Sequence, residues 1–276
     1  MKFGAHVSTA KPFSDAITRA SSLGCEAIQI FVNPPQRWNP IPIPKEEIEK
    51  FNNLKKEHNI DPIIIHSIYL INLASSNPFF YEASKKSIID DMQKAKEIGA
   101  IGTSVHLGST KGADLSDVLE KIEFAIREIL SATDESIDFV IENSAGAGNI
   151  IGDTIEEIAK VIKAVNSPRV KVLIDTAHAF ESGMADFSCI PCIDDFIDAF
   201  DQKIGLKKLV GFHLNDSKTD INSKRDRHAD LGKGKIGLEA FKHIAKHPLL
   251  KDKFGILETP QDETSWEEQL KLLRSF

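Results

Sequence analysis

The chain has 276 residues, of which 41% are hydrophobic and 27% are charged, and its formal net charge is −7. This composition is typical of a globular protein and argues against a disordered or fibrous chain. No apolar run reaches the roughly 20 residues that span a bilayer, and no signal core follows Met1, so we expect a cytoplasmic protein without membrane partners.

Short β-branched runs alternate with amphipathic stretches along the whole chain. The runs predict eight strands, at residues 2–7, 27–32, 62–67, 103–107, 138–143, 170–176, 209–214 and 255–259. The helical period predicts eight helices, at 12–23, 45–57, 82–98, 115–130, 154–165, 194–200, 238–246 and 265–273. Both faces of the strands are apolar, as in parallel sheets covered by helices. We therefore predict one α/β domain over residues 1–276.

Polar residues at the strand ends discriminate between a closed barrel and an open, doubly wound sheet. The third to eighth predicted strands end at or near His66, His106, Glu142, Asp175, His213 and Glu258. In a (β/α)8 barrel the carboxyl ends of all strands meet at one mouth, whereas an open sheet spreads them along an edge. The repeat of these residues therefore favours a single TIM barrel with its active site at the C-terminal mouth.

Three more candidate ligands lie close by, His178 just after the sixth strand and Asp226 and His228 in the loop after the seventh. A lone histidine at a strand end is usually a hydrogen-bonded polar residue. Nine such residues in phase with a barrel repeat indicate a metal site instead. Imidazoles and carboxylates without thiolate suit zinc or manganese better than magnesium. Zinc would also more than neutralise the four carboxylates, so the acidic net charge does not exclude a nucleic acid.

Cys189 and Cys192 have the spacing of a redox motif. The segment does not follow a strand and is expected to lie in a long loop. Three cysteines in the chain are too few for a disulfide framework. We interpret the pair as small apolar residues that neighbour each other by chance.

The chain resembles the endonuclease IV family of zinc-dependent apurinic/apyrimidinic endonucleases from end to end. The most specific segments are HSIYLINL (66–73), LIDTAH (173–178) and HLNDSK (213–218), the last continued by DRH at 226–228. Asn222 stands where the family usually has a glycine, and asparagine tolerates the left-handed backbone of such a turn.

The resemblance implies three zinc ions, with manganese possible at one position. The first ion would be held by His66, His106 and Glu142. The second would share Glu142 as a bridge and add Asp175, His213 and Glu258. The third would be held by His178, Asp226 and His228.

The resemblance also implies the reaction. A DNA-repair enzyme of this kind hydrolyses the phosphodiester 5′ of an abasic site, leaves 3′-hydroxyl and 5′-deoxyribose phosphate ends, and removes 3′-blocking groups. Hydroxide formed between zinc ions would attack the phosphate, and Glu142 and Glu258 would assist proton movement as catalytic residues. The partner would be double-stranded DNA with abasic sites, and we expect a monomer.

DNA-binding residues follow from the same resemblance. Tyr69 and Leu70 would fill the gap in the duplex, with either Gln36 or Arg37 probing the base stack from the opposite side. Lys218 and Arg227, in a basic cluster after the seventh strand, would contact phosphates.

Two alternative functions stay open. One is a metal-dependent sugar isomerase or epimerase, because the same barrel class hosts such enzymes. The third metal position and the Tyr69 segment argue against it, since a small sugar needs neither. The other is a lesion-binding protein that does not cleave, against which the intact bridging Glu142 argues.

Overall fold

The computed structural model describes residues 1–276 and contains a closed parallel barrel. Its strands in chain order are β1 (Lys2–His6), β2 (Ala27–Ile30), β3 (Ile63–His66), β4 (Gly102–Val105), β5 (Asp138–Glu142), β6 (Val170–Asp175), β7 (Leu209–His213) and β10 (Phe254–Leu257). Each strand pairs with its neighbour, and β10 closes the ring between β7 and β1. The predicted TIM barrel is confirmed and the open sheet is excluded.

Nine α-helices accompany the strands. They are α1 (Asp15–Ser22), α2 (Lys45–Glu57), α3 (Pro78–Ile98), α4 (Leu115–Ser131), α5 (Ile155–Val165), α6 (Thr176–Ser182), α7 (Ile190–Lys203), α8 (Leu238–Lys246) and α9 (Trp266–Arg274). The predicted bounds of α2 and α8 are confirmed. No helix combines the length and the apolar character that crossing a membrane requires.

Helices α6 and α7 differ from the prediction. The sequence pattern missed α6, whose seven residues are all buried and therefore show no amphipathic period. Helix α7 begins at Ile190 rather than at 194. Pro191 is accommodated in its first turn, because the missing N–H of proline removes no helical hydrogen bond there.

The interpretation of the cysteine pair is therefore wrong in two respects. Cys189 is the N-cap of α7 and Cys192 lies in its first turn, rather than in a long loop. The two cysteines are joined by a disulfide bond, so their proximity is not that of unrelated apolar residues.

A small antiparallel hairpin lies beyond the barrel. It consists of β8 (Asp216–Ser217) and β9 (His228–Ala229), and the sequence pattern did not predict it. Two-residue strands are too short to show an alternation of polar and apolar residues. Asn222, in the turn between them, has a φ of 59°, which confirms the expected left-handed backbone.

The apolar core has two layers. Inside the barrel, six buried side chains pack together, those of Ala27, Ile64, Val140, Leu173, Phe254 and Ile256. Outside it, a cluster of 62 buried residues fills the space between the strands and the helices. Because the barrel interior is filled, a polar site is confined to the strand ends and the loops that follow them.

Candidate metal centre at the barrel mouth

The nine predicted ligands converge at the carboxyl ends of the strands. Four are the last residues of their strands, His66, Glu142, Asp175 and His213. His106 and Glu258 follow β4 and β10 directly, and the remaining three come from α6 and from the hairpin segment, His178, Asp226 and His228. The parallel register of the barrel thus brings residues that are far apart in sequence to one basin.

Glu142 lies at the centre of two donor groups. In the first, its Oε2 is 3.2 Å from His66 Nε2 and its Oε1 is 3.5 Å from His106 Nε2. In the second, His213 Nδ1 is 3.0 Å from Glu142 Oε1 and 3.2 Å from Glu258 Oε2. Asp175 Oδ2 completes the second group at 3.6 Å from the same nitrogen.

The third donor group lies beside the hairpin. His178 Nε2 and His228 Nε2 each lie 3.4 Å from a carboxylate oxygen of Asp226. Asp175 Oδ2 is only 3.5 Å from His228 Nε2, so this carboxylate lies between the second and third groups. The geometry therefore places Asp175 next to both groups, while its predicted assignment to the second group stays a prediction.

Three of the five imidazoles have the hydrogen bonding of metal ligands, whereas Nδ1 of His106 has no partner. The Nδ1 atoms of His66, His178 and His228 lie 2.7, 3.1 and 3.4 Å from backbone carbonyl oxygens. A proton on each Nδ1 makes that bond and leaves the Nε2 lone pair directed into the basin. The Nε2 atoms of His178 and His228 face each other at 3.4 Å. A cation fits between two such lone pairs, so the donor set suits zinc.

Two residues outside the predicted set support this basin, Gln29 and His6. Gln29 Nε2 donates to Glu258 Oε1 at 2.6 Å, and Gln29 Oε1 lies 2.8 Å from His213 Nε2. His6 Nδ1 lies 2.9 Å from the same Glu258 oxygen, and its Nε2 is buried without a partner. His6 ends β1, so the strand-end pattern that identified the other ligands also points to it.

Burial and charge act in opposite directions on the carboxylates. Burial alone would raise the pKa of Glu142, but His213 and His106 hold this pKa well below its usual range. Burial would likewise raise the pKa of Glu258, but His213 and a hydrogen bond from His6 outweigh it and lower this pKa. The buried basin therefore keeps its carboxylates anionic and demands compensating positive charge.

A cleft of about 1120 Å³ opens above the basin. Tyr69 lines this cleft just beyond His66 and is 62% exposed, and the adjacent Leu70 is 37% exposed. The Tyr69 N–H donates to the carbonyl of Pro35 at 2.9 Å, which joins this side of the cleft to the loop after β2. Gln36 and Arg37 are both exposed on that loop, so exposure does not distinguish between them.

The basic residues predicted to contact phosphates lie on the hairpin segment. Lys218 and Arg227 are both exposed, and they follow β8 and precede β9 respectively. Lys218 Nζ lies 2.6 Å from Asp262 Oδ2, and Arg227 Nη1 donates to the carbonyl of Asp226 at 2.7 Å. Arg227 is thus held beside Asp226 of the third donor group, whereas Lys218 pairs with an acidic residue of the segment after β10.

Comparisons with known proteins agree with this arrangement. Residues 17–276 match the family described as xylose isomerase-like TIM barrels. The match defines the class of barrel to which the chain belongs. D-tagatose 3-epimerase-like protein has the same fold, with a TM-score of 0.75, at 19% identity over 100% of this chain and 96% of its own.

Relatives at higher identity are more specific. The probable endonuclease 4 of Halothermothrix orenii is 37% identical over 95% of this chain and 94% of its own, and that of Chlorobium phaeobacteroides is 37% identical over 99% and 96%. The crystal structure of endonuclease IV from Thermus thermophilus matches with a TM-score of 0.89 and 32% identity, over 100% of this chain and 98% of its own. The chain belongs to the endonuclease IV family.

Proposed function

We propose that the protein is a metal-dependent endonuclease of DNA repair that hydrolyses the phosphodiester on the 5′ side of an abasic site. The products would be a 3′-hydroxyl and a 5′-deoxyribose phosphate, and the same site would remove 3′-blocking groups. The observation that carries the proposal is the mouth itself, where nine donors form three adjoining groups and the carboxylate of Glu142 joins the first two. The names of the full-length relatives support it.

The donor groups fit three zinc ions, with manganese possible at one position. The first ion would be held by His66, His106 and Glu142, the second by Glu142, Asp175, His213 and Glu258, and the third by His178, Asp226 and His228. When bound, these ions supply the Lewis-acid charge that polarises the phosphate and activates water. The imidazole hydrogen bonds support this assignment, because each leaves a lone pair free for a cation.

Glu142 and Glu258 are the proposed catalytic carboxylates. Both line the cleft, and the lowered pKa of each keeps it anionic at neutral pH. Each carboxylate can therefore accept a hydrogen bond from water beside the scissile phosphate and orient that water for attack. Ser104 Oγ donates to Glu142 Oε2 at 2.9 Å and limits the rotation of this side chain.

Recognition of the lesion would depend on the rim of the cleft. A nucleotide without a base has lost its stacking, so turning it out of the duplex costs less than the few kcal/mol of an intact one. Tyr69 and Leu70 would fill the gap, with Gln36 or Arg37 on the loop that Tyr69 contacts. Lys218 and Arg227 would bind phosphates beside the third donor group.

Sugar epimerisation is the competing function, because barrels of this class include epimerase-like proteins. Their identity to this chain is low and supports the fold alone. The exposed aromatic rim and the third donor group favour DNA over a small sugar. A lesion-binding protein that does not cleave is disfavoured, since binding alone requires no carboxylate bridge between two donor groups.

Mapping the products on a labelled duplex tests the proposal. The zinc-loaded protein is incubated with a duplex carrying one tetrahydrofuran abasic analogue, and with the same duplex without the lesion. We expect a single cut 5′ of the analogue, with an end that a DNA polymerase extends. Absence of incision, together with epimerisation of a ketose by the same preparation, would replace the endonuclease by the sugar enzyme.

A further inference from the structure

Three ligand-type side chains converge between helices α7 and α8 on the outside of the barrel. Asp194 Oδ1 of α7 lies 2.6 Å from His243 Nε2 of α8 and 3.5 Å from His247 Nε2 at the end of α8. One donor atom of each residue lies within 4.8 Å of the other two. None of the three lines the cleft at the mouth, so this cluster is separate from the candidate metal centre.

The local sequence explains the convergence. His243 lies in the last turn of α8 and His247 follows its last residue, four positions further on, so both imidazoles lie on the same side of the helix end. Their ring centroids are 5.5 Å apart. Asp194 reaches them from the first half of α7, a 14-residue helix. Two packed helices, rather than flexible loops, therefore fix the spacing of the three donors.

An ion pair alone leaves this cluster incompletely satisfied. A single oxygen of Asp194 serves two imidazole nitrogens at unequal distances. The His247 ring is only 12% exposed, and its Nδ1 is buried without a hydrogen-bond partner. Leaving a buried polar nitrogen unpaired costs about 1–3 kcal/mol. This nitrogen is not the one that faces Asp194, so the case for a cation depends on the two Nε2 atoms that converge on the carboxylate.

A tetrahedral cation fits after a small movement. Ligand atoms about 2.1 Å from one tetrahedral zinc ion lie about 3.4 Å from each other. The contact between Asp194 and His247 already has nearly this length, whereas that between Asp194 and His243 is a hydrogen bond of 2.6 Å. The Asp194 side chain is 49% exposed and is therefore free to move by the required fraction of an ångström.

We propose that Asp194, His243 and His247 form a peripheral binding site for a divalent transition-metal ion, zinc by ligand chemistry. Two imidazoles and one carboxylate favour zinc over magnesium or calcium, and solvent would occupy the fourth position. The bound ion links α7 to α8. It stabilises the folded chain by mass action, because the unfolded chain lacks the preformed cluster.

Zinc uptake by the desalted holoenzyme tests the site. Zinc is titrated into the wild type and into a His243→Gln/His247→Gln variant, with a chromophoric indicator competing for the metal. We expect the variant to take up about one equivalent less while its activity at the mouth is unchanged. The control is His58→Gln, because His58 is a surface histidine that contacts Ser21 and no carboxylate. This variant should take up as much zinc as the wild type.

Thermal unfolding provides an independent readout. At a zinc concentration about 100-fold above the dissociation constant, the midpoint of wild type should rise by roughly 5 °C or more relative to the same zinc-free buffer. The Asp194→Asn variant, which changes few atoms, should lose most of this rise. It keeps the test valid if the double variant does not fold. Equal zinc uptake and equal midpoint shifts in wild type and both variants would overturn the proposal.

Discussion

One uncharged side chain, Gln29, orients two ionisable side chains of the mouth, those of Glu258 and His213. The carboxylate of Glu258 can only accept hydrogen bonds, so the amide nitrogen of Gln29 must face it. Its oxygen then faces His213 Nε2 at 2.8 Å and holds the proton on that nitrogen. The lone pair of His213 Nδ1 is therefore directed at Glu142, where a metal would bind.

Replacing Gln29 by leucine should weaken metal binding. The variant removes the acceptor of His213 and a donor to Glu258 while it keeps a similar side-chain volume. We expect a loss of about 10–100-fold in zinc affinity or in incision rate. Retention of zinc against a chelator measures the affinity, and cutting of an abasic duplex measures the incision rate. Gln93→Leu, on the exposed face of α3, is the matched control, and equal zinc retention in both variants would refute this role.

The strand-end repeat predicts six of the nine donors, because the distance along the chain between strand ends is set by the βα unit. Gln29 has no such signal, since it lies within β2, where a buried amide is not distinguished from any other. The role of Gln29 is recognised only from the register of the barrel, which pairs Gln29 with His6 of β1. The sequence also does not predict that Asp175 lies between two donor groups, because spacing along the chain does not give its distance to His228.

At the scale of elements, the carboxylate of Asp216 organises the hairpin segment. Asp216 opens β8 and accepts hydrogen bonds from the backbone N–H groups of Gly232, Gly234 and Ile236 at 2.9–3.0 Å. These bonds fold the chain after β9 against β8. The hairpin carries His228 of the third donor group, so the position of that group depends on a residue that does not contact it.

Asp216→Ala should destabilise the protein by about 3 kcal/mol or more, because several backbone N–H groups lose a charged acceptor in a buried environment. The change also frees the segment that carries His228, so zinc should be lost faster from the third group. Urea unfolding measures the first effect and timed metal release the second. Asp220→Ala, on an exposed aspartate of the same segment, should leave both nearly unchanged.

Asp91 in α3 makes stability depend on pH. Burial, opposed by a hydrogen bond from Asn33 and reinforced by Asp90, raises the pKa of Asp91 from 3.8 to about 7. The folded state therefore holds this proton more tightly than the unfolded chain. Its contribution to stability is complete below about pH 4 and is lost as the pH rises to about 7. Asn33 ties the loop that carries Gln36 to this helix.

Asp91→Asn removes this titration and keeps the oxygen that accepts from Asn33. The free energy of unfolding of wild type should fall relative to that of the variant between pH 4 and 7, by up to a few kcal/mol. Parallel pH profiles in urea unfolding would contradict the assignment. Asp90→Asn is the comparison, because Asp90 shares the contact to Asn33 but is less buried.

The elements that the sequence pattern does not reveal lack the periodicity on which such a prediction relies. Helix α6 is wholly buried and short, and each strand of the hairpin has two residues. Pro191 and the cysteines resemble turn residues, so the pattern predicts a loop where α7 makes its first turn. Helix α6, for example, is fixed by a tertiary contact in which the Thr176 hydroxyl donates to the carbonyl of Asn215 at 2.7 Å.

For the whole molecule, the alternation of strands and helices predicts an α/β fold, and few such folds bury eight parallel strands. The polar residues at the strand ends then favour the closed barrel over an open sheet. Net charge is less informative. A formal charge of −7 disfavours binding of nucleic acid, yet the basic residues that would contact phosphates are grouped in the hairpin segment that carries part of the third donor group. The distribution of charge, rather than its sum, therefore decides whether DNA can approach.

Arg227→Ala should weaken binding of an abasic duplex about equally for all sequences and lower the slope of log affinity against log salt concentration by about 1. Fluorescence anisotropy at several salt concentrations measures this, with incision blocked by Glu142→Gln in both proteins. Arg127→Ala, an arginine of α4 paired with Glu123, is the control. An unchanged slope for Arg227→Ala would remove this residue from the DNA interface.

The role of Glu142 is tested by comparing incision and metal content of wild type and Glu142→Gln, with Glu57→Gln on the exposed face of α2 as the control. We expect wild type and control to cut 5′ of a tetrahydrofuran analogue. Glu142→Gln should lose at least about 100-fold in rate and hold less zinc, because the bridging carboxylate is gone. Equal incision by Glu142→Gln and wild type at equal zinc content would show that Glu142 does not join the donor groups of a catalytic metal centre.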